Sequence, residues 1–268
     1  MNVWLKPIVL SASVVLLSAC AMPFTHDQAK NNATAPTKTQ KENTHETKGN
    51  TITNKGSDSQ SENAKAPSDP SKIQVVTDPT SVTVLVNKTH KLPDGYIPPD
   101  LVYPNVKFPY SDKIEKREMR AVAAHALEKM FDAASKDGIT LYAQSGYRSY
   151  VTQKSVFDDS VKTEGLQKTM AAVAVPGTSE HQTGLAMDLT SPKVNDDVVQ
   201  AYAQTPDGQW VANNAHVFGF IIRYPKGKES ITGYEYEPWH IRYVGVKAAT
   251  YIYEHHLTLE QYIAQKGK

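Results

Sequence analysis

Two short stretches concentrate the chemistry of this chain. The first is Ser179-Glu180-His181-Gln182-Thr183-Gly184-Leu185-Ala186-Met187-Asp188, and the second is Glu237-Pro238-Trp239-His240-Ile241-Arg242-Tyr243. His181, Asp188, Glu237 and His240 provide two imidazoles and two carboxylates. Two imidazoles and one carboxylate suit a hydrolytic zinc, because three protein ligands leave a fourth position for the attacking water. The residues therefore read as one Zn2+ site held by His181, Asp188 and His240, with Glu237 as general base. His181 alone would read as a hydrogen-bonded loop histidine; the second motif reverses that preference. The sequence has no HExxH, no CxxC and no phosphate-cradling glycine loop to suggest another chemistry.

The elements around these residues must bring them together. Gly184 lets the backbone turn between His181 and Asp188. From Leu185 the chain alternates, with Leu185, Met187 and Leu189 on one face and Ala186, Asp188 and Thr190 on the other. Asp188 thus projects from the side lined by small residues. Pro238 pushes Glu237 toward an extended conformation. A straight strand would put Glu237 and His240 on opposite faces, so one metal site requires a bend near Pro238-Trp239. Beyond it His240, Arg242 and Val244 share a face, and Arg242 reads as structural.

Elsewhere, residues 82–86 are rich in β-branched side chains and read as a strand. Pro93, Pro98 and Pro99 make 91–103 an extended loop. Residues 116–136 read as a helix with Met119, Val122, Ala126, Leu127, Met130 and Ala133 on its apolar face, closed by Asp137-Gly138. A strand over 139–143 follows, then a helix from an N-cap at Ser149 to about residue 161. Residues 169–175 form a helical run stopped by Pro176-Gly177. Residues 207–218 read as a helix burying Trp210, Val211, Ala215 and Phe218, 220–222 as a strand and 224–236 as a loop. Two short helices, 246–256 and 258–265, close the chain. The expected class is α+β: one compact domain with helices packed on a small antiparallel sheet that carries the zinc site.

Arg148 precedes the N-cap at Ser149, so a cation sits at the positive end of a helix dipole. A local conflict of this kind marks a functional position. A guanidinium fork can grip a carboxylate with two parallel bonds. On position alone, a surface pair with Asp158 or Asp159 serves equally well. Gln153, one turn on, can help through its amide. Ser179 can bond a substrate or orient a ligand, but no Ser-His-Asp arrangement makes it a nucleophile. Trp239 packs beside the site or in the core.

These motifs carry a resemblance. Ser179-x-His181-x-x-Gly184-x-Ala186-x-Asp188, Glu237-x-Trp239-His240-x-Arg242-Tyr243, and Ser145-Gly146-Tyr147-Arg148-Ser149 with Gln153 occur in linked order. Over about residues 80–260 the chain resembles the VanY/DacB-type (LdcB-like) zinc D-alanyl-D-alanine carboxypeptidases. The resemblance implies a peptidoglycan stem peptide ending in D-alanine as substrate, with Arg148 holding its terminal carboxylate. Some relatives cut the D-Ala–D-Ala bond of pentapeptides and others the L–D bond of tetrapeptides. Tyr234 and Tyr236, just before Glu237, are placed to shape that choice. The expectation is the D,D reaction, with the L,D reaction as alternative. A non-catalytic wall-peptide-binding lipoprotein would be expected to have lost Glu237, and a transporter's solute-binding lipoprotein would need no zinc triad.

Lys+Arg number 29 and Asp+Glu 28, a net charge of +1, so nothing electrostatic points to nucleic acid. The single cysteine excludes an intramolecular disulfide framework. It lies at the end of residues 1–20, where Lys6 precedes an apolar run too short to span a bilayer. Leu17-Ser18-Ala19-Cys20 resembles a bacterial lipoprotein signal, which implies lipidation of Cys20. Residues 21–72 are too polar to offset their ordering entropy and read as a disordered tether before a carboxypeptidase domain over 73–268. The chain is thus expected outside the cytoplasm, lipid-anchored to the membrane and facing the cell wall, with no protein partner.

Overall fold

The computed structural model describes residues 70–267; the signal, Cys20 and nearly all of the tether expected from sequence lie outside the described residues. Four two-residue strands come first: β1 (Gln74–Val75), β2 (His90–Lys91), β3 (Leu101–Val102) and β4 (Met119–Arg120). The central sheet follows, built from β5 (Tyr142–Ser145), β6 (Ala186–Thr190), β7 (Phe220–Tyr224) and β8 (Glu237–Tyr243) in the order β5-β6-β8-β7. Every pairing in it is antiparallel. The helices are α1 (Ala121–Lys136), α2 (Tyr150–Glu164), α3 (Leu166–Ala172), α4 (Pro206–Asn214), α5 (Glu229–Thr232), α6 (Val246–Glu254) and α7 (Leu259–Lys266). The α+β class expected from sequence holds. Among the described residues no helix is long and apolar enough to cross a membrane.

The alternation of β6 decides where the core lies. Leu185, Met187 and Leu189 point into a cluster with Ala123, Ala124, Leu127 and Met130 of α1 and Ile241 of β8. Asp188, on the opposite face, is left for the site. β7 serves two cores through the same two-residue period: Phe220 enters the first, while Ile221 joins Val244, Ala249, Ile252 and Leu259 beneath α6 and α7.

Several boundaries differ from those expected. Residues 82–86 form a turn and irregular backbone, not a strand. Val84 and Val86 are buried as their type demands, but the carbonyls of Val82 and Val84 accept hydrogen bonds from Nη2 of Arg242. A guanidinium thus replaces a strand partner. The first long helix starts at Ala121, since Met119–Arg120 pairs with Leu101–Val102 and the Arg120 amide donates to the Gly184 carbonyl. Its buried stripe is therefore Ala123, Ala124, Leu127, Met130 and Ala134, and Val122 is exposed. The strand expected at 139–143 begins later, at Tyr142, because the Ile139 amide is still tied to the Ala134 carbonyl at the end of α1. The helix expected over 207–218 tightens into a 3-10 turn from Ala215, and Trp210 and Phe218 are only half-buried. The 224–236 loop contains the short helix α5. Ser149 does cap α2, its hydroxyl accepting from the Thr152 amide.

Candidate active site

Asp188 sits mid-sheet, opposite Ser145 on one side and His240 on the other. His181 reaches the same point from a 3-10 turn, Glu180–Thr183, that ends at Gly184 in the left-handed region with φ 66°. A Cβ at Gly184 would also stand 2.9 Å from a Leu101 methyl, so glycine is needed for both conformation and space. The Ser145–Arg148 segment is clamped: the Gly146 amide donates to the Lys116 carbonyl, that of Tyr147 to Glu118, and that of Arg148 to His181. The Gly146 carbonyl in turn accepts from His181 Nδ1 at 2.7 Å. A side chain at Gly146 would drive its Cβ into the Glu118 carbonyl oxygen.

The bend demanded of the second motif is present. From Phe220↔Tyr243 to Ile222↔Ile241 the β7–β8 register is regular, then Tyr224 pairs with Glu237. Two residues of β7 thus span four of β8, and the irregularity falls on Pro238-Trp239-His240. Glu237 Oε2 and His240 Nδ1 consequently lie 4.0 Å apart.

His181, Asp188 and His240 offer ligand atoms all within 4.8 Å of one another. His181 Nε2 is 3.4 Å from Asp188 Oδ2, and His240 Nδ1 is 2.8 Å from Asp188 Oδ1. Burial, reinforced by the Arg148 and His240 charges and opposed by Asp188, lowers the His181 pKa to about 4, so its imidazole is neutral and its Nε2 lone pair is available. Burial raises the Asp188 pKa, but His181 and His240 outweigh it and keep the group below the ordinary carboxylate value. Burial also disfavours charge on His240, yet Asp188 and Glu180 overcome it and raise the ring to about 10. These surroundings favour positive charge, and the donor set of two imidazoles and a carboxylate fits a divalent cation. Glu237 is raised to about 6, chiefly by burial, with Asp188 and Glu180 adding to it and His240 opposing.

A cleft of about 310 Å³ opens on these groups, lined also by Arg148, Gln153, Ser179, Tyr224, Tyr234 and Trp239. Arg148 Nη1 donates to Gln153 Oε1 at 3.0 Å, and Gln153 Nε2 donates to the Ala174 carbonyl. Gln153 therefore aims Arg148 from a buried position. Asp158 and Asp159, the alternative partners of Arg148, pair instead with Lys154 and Lys162. Tyr236, expected among the substrate contacts, is not among the cleft-lining residues; its carbonyl accepts from Gln200. Tyr234, named with it from sequence, does line the cleft and is joined there by Tyr224, their rings 4.6 Å apart, with Tyr224 stacked 5.1 Å from His240.

Sequence reasoning missed Glu180. It is buried beside His181, with Oε1 accepting from Arg223 Nε at 2.7 Å and Arg242 Nη1 at 2.6 Å. The available signal was Arg223, a cation inside the apolar strand run Phe220-Ile221-Ile222-Arg223-Tyr224. Such a cation is buried only with a partner.

Comparison with known proteins matches this geometry to a family. Residues 116–246 fit the VanY family model, described as D-alanyl-D-alanine carboxypeptidase. YodJ of Bacillus subtilis (strain 168) is 45% identical over 259 residues, covering 97% of this chain and 95% of YodJ. The chain belongs to the VanY family of carboxypeptidases. Among solved structures, the LdcB LD-carboxypeptidase, determined for its peptidoglycan recognition, is 53% identical with a TM-score of 0.71, over 72% of this chain and 90% of that one. A VanY D,D-pentapeptidase from a VanB-type resistance cassette, solved as a variant in complex with Zn(II), is 36% identical with a TM-score of 0.53, over 68% of this chain and 98% of that one. VanY-family membership makes the chain a carboxypeptidase and the His181, Asp188 and His240 cluster a candidate metal centre.

Proposed function

We propose that this protein is a zinc-dependent carboxypeptidase that removes the C-terminal D-alanine from peptidoglycan stem peptides. The observation that carries the proposal is the convergence of the His181, Asp188 and His240 ligand atoms, with Glu237 Oε2 4.0 Å from His240 Nδ1, in a cleft that Arg148 also lines. Zn(II) held by the three ligands would supply Lewis acidity and an acidified water. Glu237, with a pKa near neutrality, takes the proton of the attacking water and returns it to the leaving amine. Arg148 holds the free carboxylate of the peptide and so confines cleavage to the C-terminal residue. Ser179, Trp239, Tyr224 and Tyr234 shape the walls around it.

The scissile bond expected from the sequence motifs is the D,D bond of the pentapeptide. The 53% identity to an LD-carboxypeptidase, against 36% to a D,D-pentapeptidase, favours the L,D bond of the tetrapeptide. D,D cleavage stays as the second reading because the family model carries that description. Mass spectrometry of the Zn(II)-loaded chain against both stem peptides tests this. Loss of one alanine from the tetrapeptide alone, abolished by chelator, is the expected result. Loss from the pentapeptide alone moves the enzyme to the D,D class, and no cleavage of either by the loaded protein leaves a peptide-binding module.

Arg148→Lys is expected to lower kcat/KM by about 10- to 100-fold, mainly through KM, as a charge-assisted bond worth about 1.5–3 kcal/mol is weakened. The variant should also discriminate less against C-terminally amidated peptides. Unchanged discrimination would remove Arg148 from the carboxylate.

An extracytoplasmic, lipid-anchored location at the membrane belongs to the same proposal and rests on the sequence around Cys20. Cys20→Ser should shift the protein from the membrane to the soluble fraction; retention in the membrane would remove the anchor from the proposal.

A further inference from the structure

The two carboxylate oxygens of Glu180 do different things. Oε1 is saturated by Arg223 and Arg242. Oε2 is buried, has no hydrogen-bond partner and faces His240 Nε2 at 3.5 Å. His240 Nε2 is itself buried without a hydrogen-bond partner. A buried acceptor and a buried ring nitrogen thus face each other, and each supplies what the other lacks. The opposite ring nitrogen, Nδ1, faces Asp188 at 2.8 Å.

We infer that Glu180 is a positioning residue for the metal centre: it accepts the Nε2–H of His240, fixes that tautomer, and so turns Nδ1 toward the metal. The inference rests on the metal reading above. His181 is oriented in the complementary sense, its Nδ1 bound to the Gly146 carbonyl and its Nε2 directed at Asp188. The two histidines thus present different nitrogens to one point, and each has a dedicated group behind it. Such partners set ligand basicity and orientation and are worth about 10–100-fold in metal affinity.

Glu180 is in turn held from the far end of the chain. Arg223 Nη1 and Nη2 donate to Glu260 of α7 at 3.0 and 2.7 Å, and Asn87 Nδ2 donates to the same carboxylate. Two guanidiniums and two carboxylates balance in the cluster. Arg223 is already gripped by both oxygens of Glu260, so its neutralisation alone does not account for Glu180 presenting a free oxygen to His240. The residues run in contact from α7 through Arg223 and Glu180 to His240.

The test compares Glu180→Gln with Glu260→Gln in the full-length chain. Both remove one negative charge from beside Arg223, but only the first touches His240. Zn(II) affinity is read by competition with a chromogenic chelator, and the Co(II)-substituted proteins are compared by their visible spectra. Glu180→Gln should weaken Zn(II) binding by about 10–100-fold and alter the Co(II) spectrum. Glu260→Gln should leave affinity within twofold and the spectrum unchanged, whatever its loss of thermal stability. Equal affinity for Glu180→Gln and wild type, or equal weakening by both variants, overturns the inference while leaving the metal centre intact. A wild-type chain that takes up no Zn(II) overturns both. Should Glu180→Gln not fold, nitrogen-15 spectra of the wild-type Zn(II) protein decide. A protonated Nε2 on His240 supports the assignment, and a protonated Nδ1 defeats it.

Discussion

A Glu237→Gln protein should fold, retain its metal and lose about 10²- to 10⁴-fold in kcat, the range for removing a general base. The amide keeps the size and one acceptor of the carboxylate but cannot take a proton. Glu237 is the group positioned for that task because it stands 4.0 Å from His240 yet outside the three-atom ligand cluster. Burial holds its pKa at about 6, close enough to neutral pH to take a proton and give it back. Because the substitution leaves His181, Asp188 and His240 in place, Zn(II) stoichiometry and the KM for the stem peptide should change little. Steady-state kinetics with metal analysis checks this. A normal rate from the variant removes Glu237 from the mechanism, and loss of metal together with rate would make it a ligand.

How much of this arrangement was legible in the sequence depended on how local its cause was. The candidate ligands were legible because a period of two between Leu185 and Thr190 separates core from site, and because Glu237 and His240, three residues apart, can face one point only across a bend, which the β7–β8 register shows. The cap at Ser149 was legible for the same reason: the hydroxyl and the amide it accepts are three residues apart. What stayed hidden depended on distant partners. Residues 82–86 have the side chains of a strand, but their carbonyls are taken by Arg242, about 160 positions away in sequence. Residues 116–120 continue the helical pattern of α1, yet a strand pairing and the Gly184 carbonyl claim Met119 and Arg120. Glu180 stood in plain view beside His181, but its role follows from Arg223 and Arg242, 43 and 62 residues on. Tyr236 and Tyr224 illustrate the same limit: adjacency to Glu237 suggested the first, while cross-strand pairing with Glu237 brings in the second.

The largest effect on stability should come from Arg223→Met. Arg223 is fully buried and bonded to Glu180 through Nε and to Glu260 through both terminal nitrogens. Methionine fills much of the same volume, so packing is largely kept and the measured loss reports the charge. Removing one partner of a buried ionic cluster leaves an uncompensated charge and costs about 3–5 kcal/mol. For a folded unit of this size that corresponds to a fall in Tm of roughly 6–20 °C. Asp100→Asn is the counterpart at the surface. Its carboxylate bonds Arg120 Nε at 2.8 Å, as short as the buried contacts, but its side chain is 36% exposed. Water replaces the lost partner there, and the cost should stay below about 1 kcal/mol. Urea denaturation of the two variants separates distance from burial as the cause. Similar losses for both would mean that Arg223 acts as one more ion pair. A loss several times larger for Arg223→Met would identify the cluster behind His240 as the electrostatic anchor that joins α7 to the sheet.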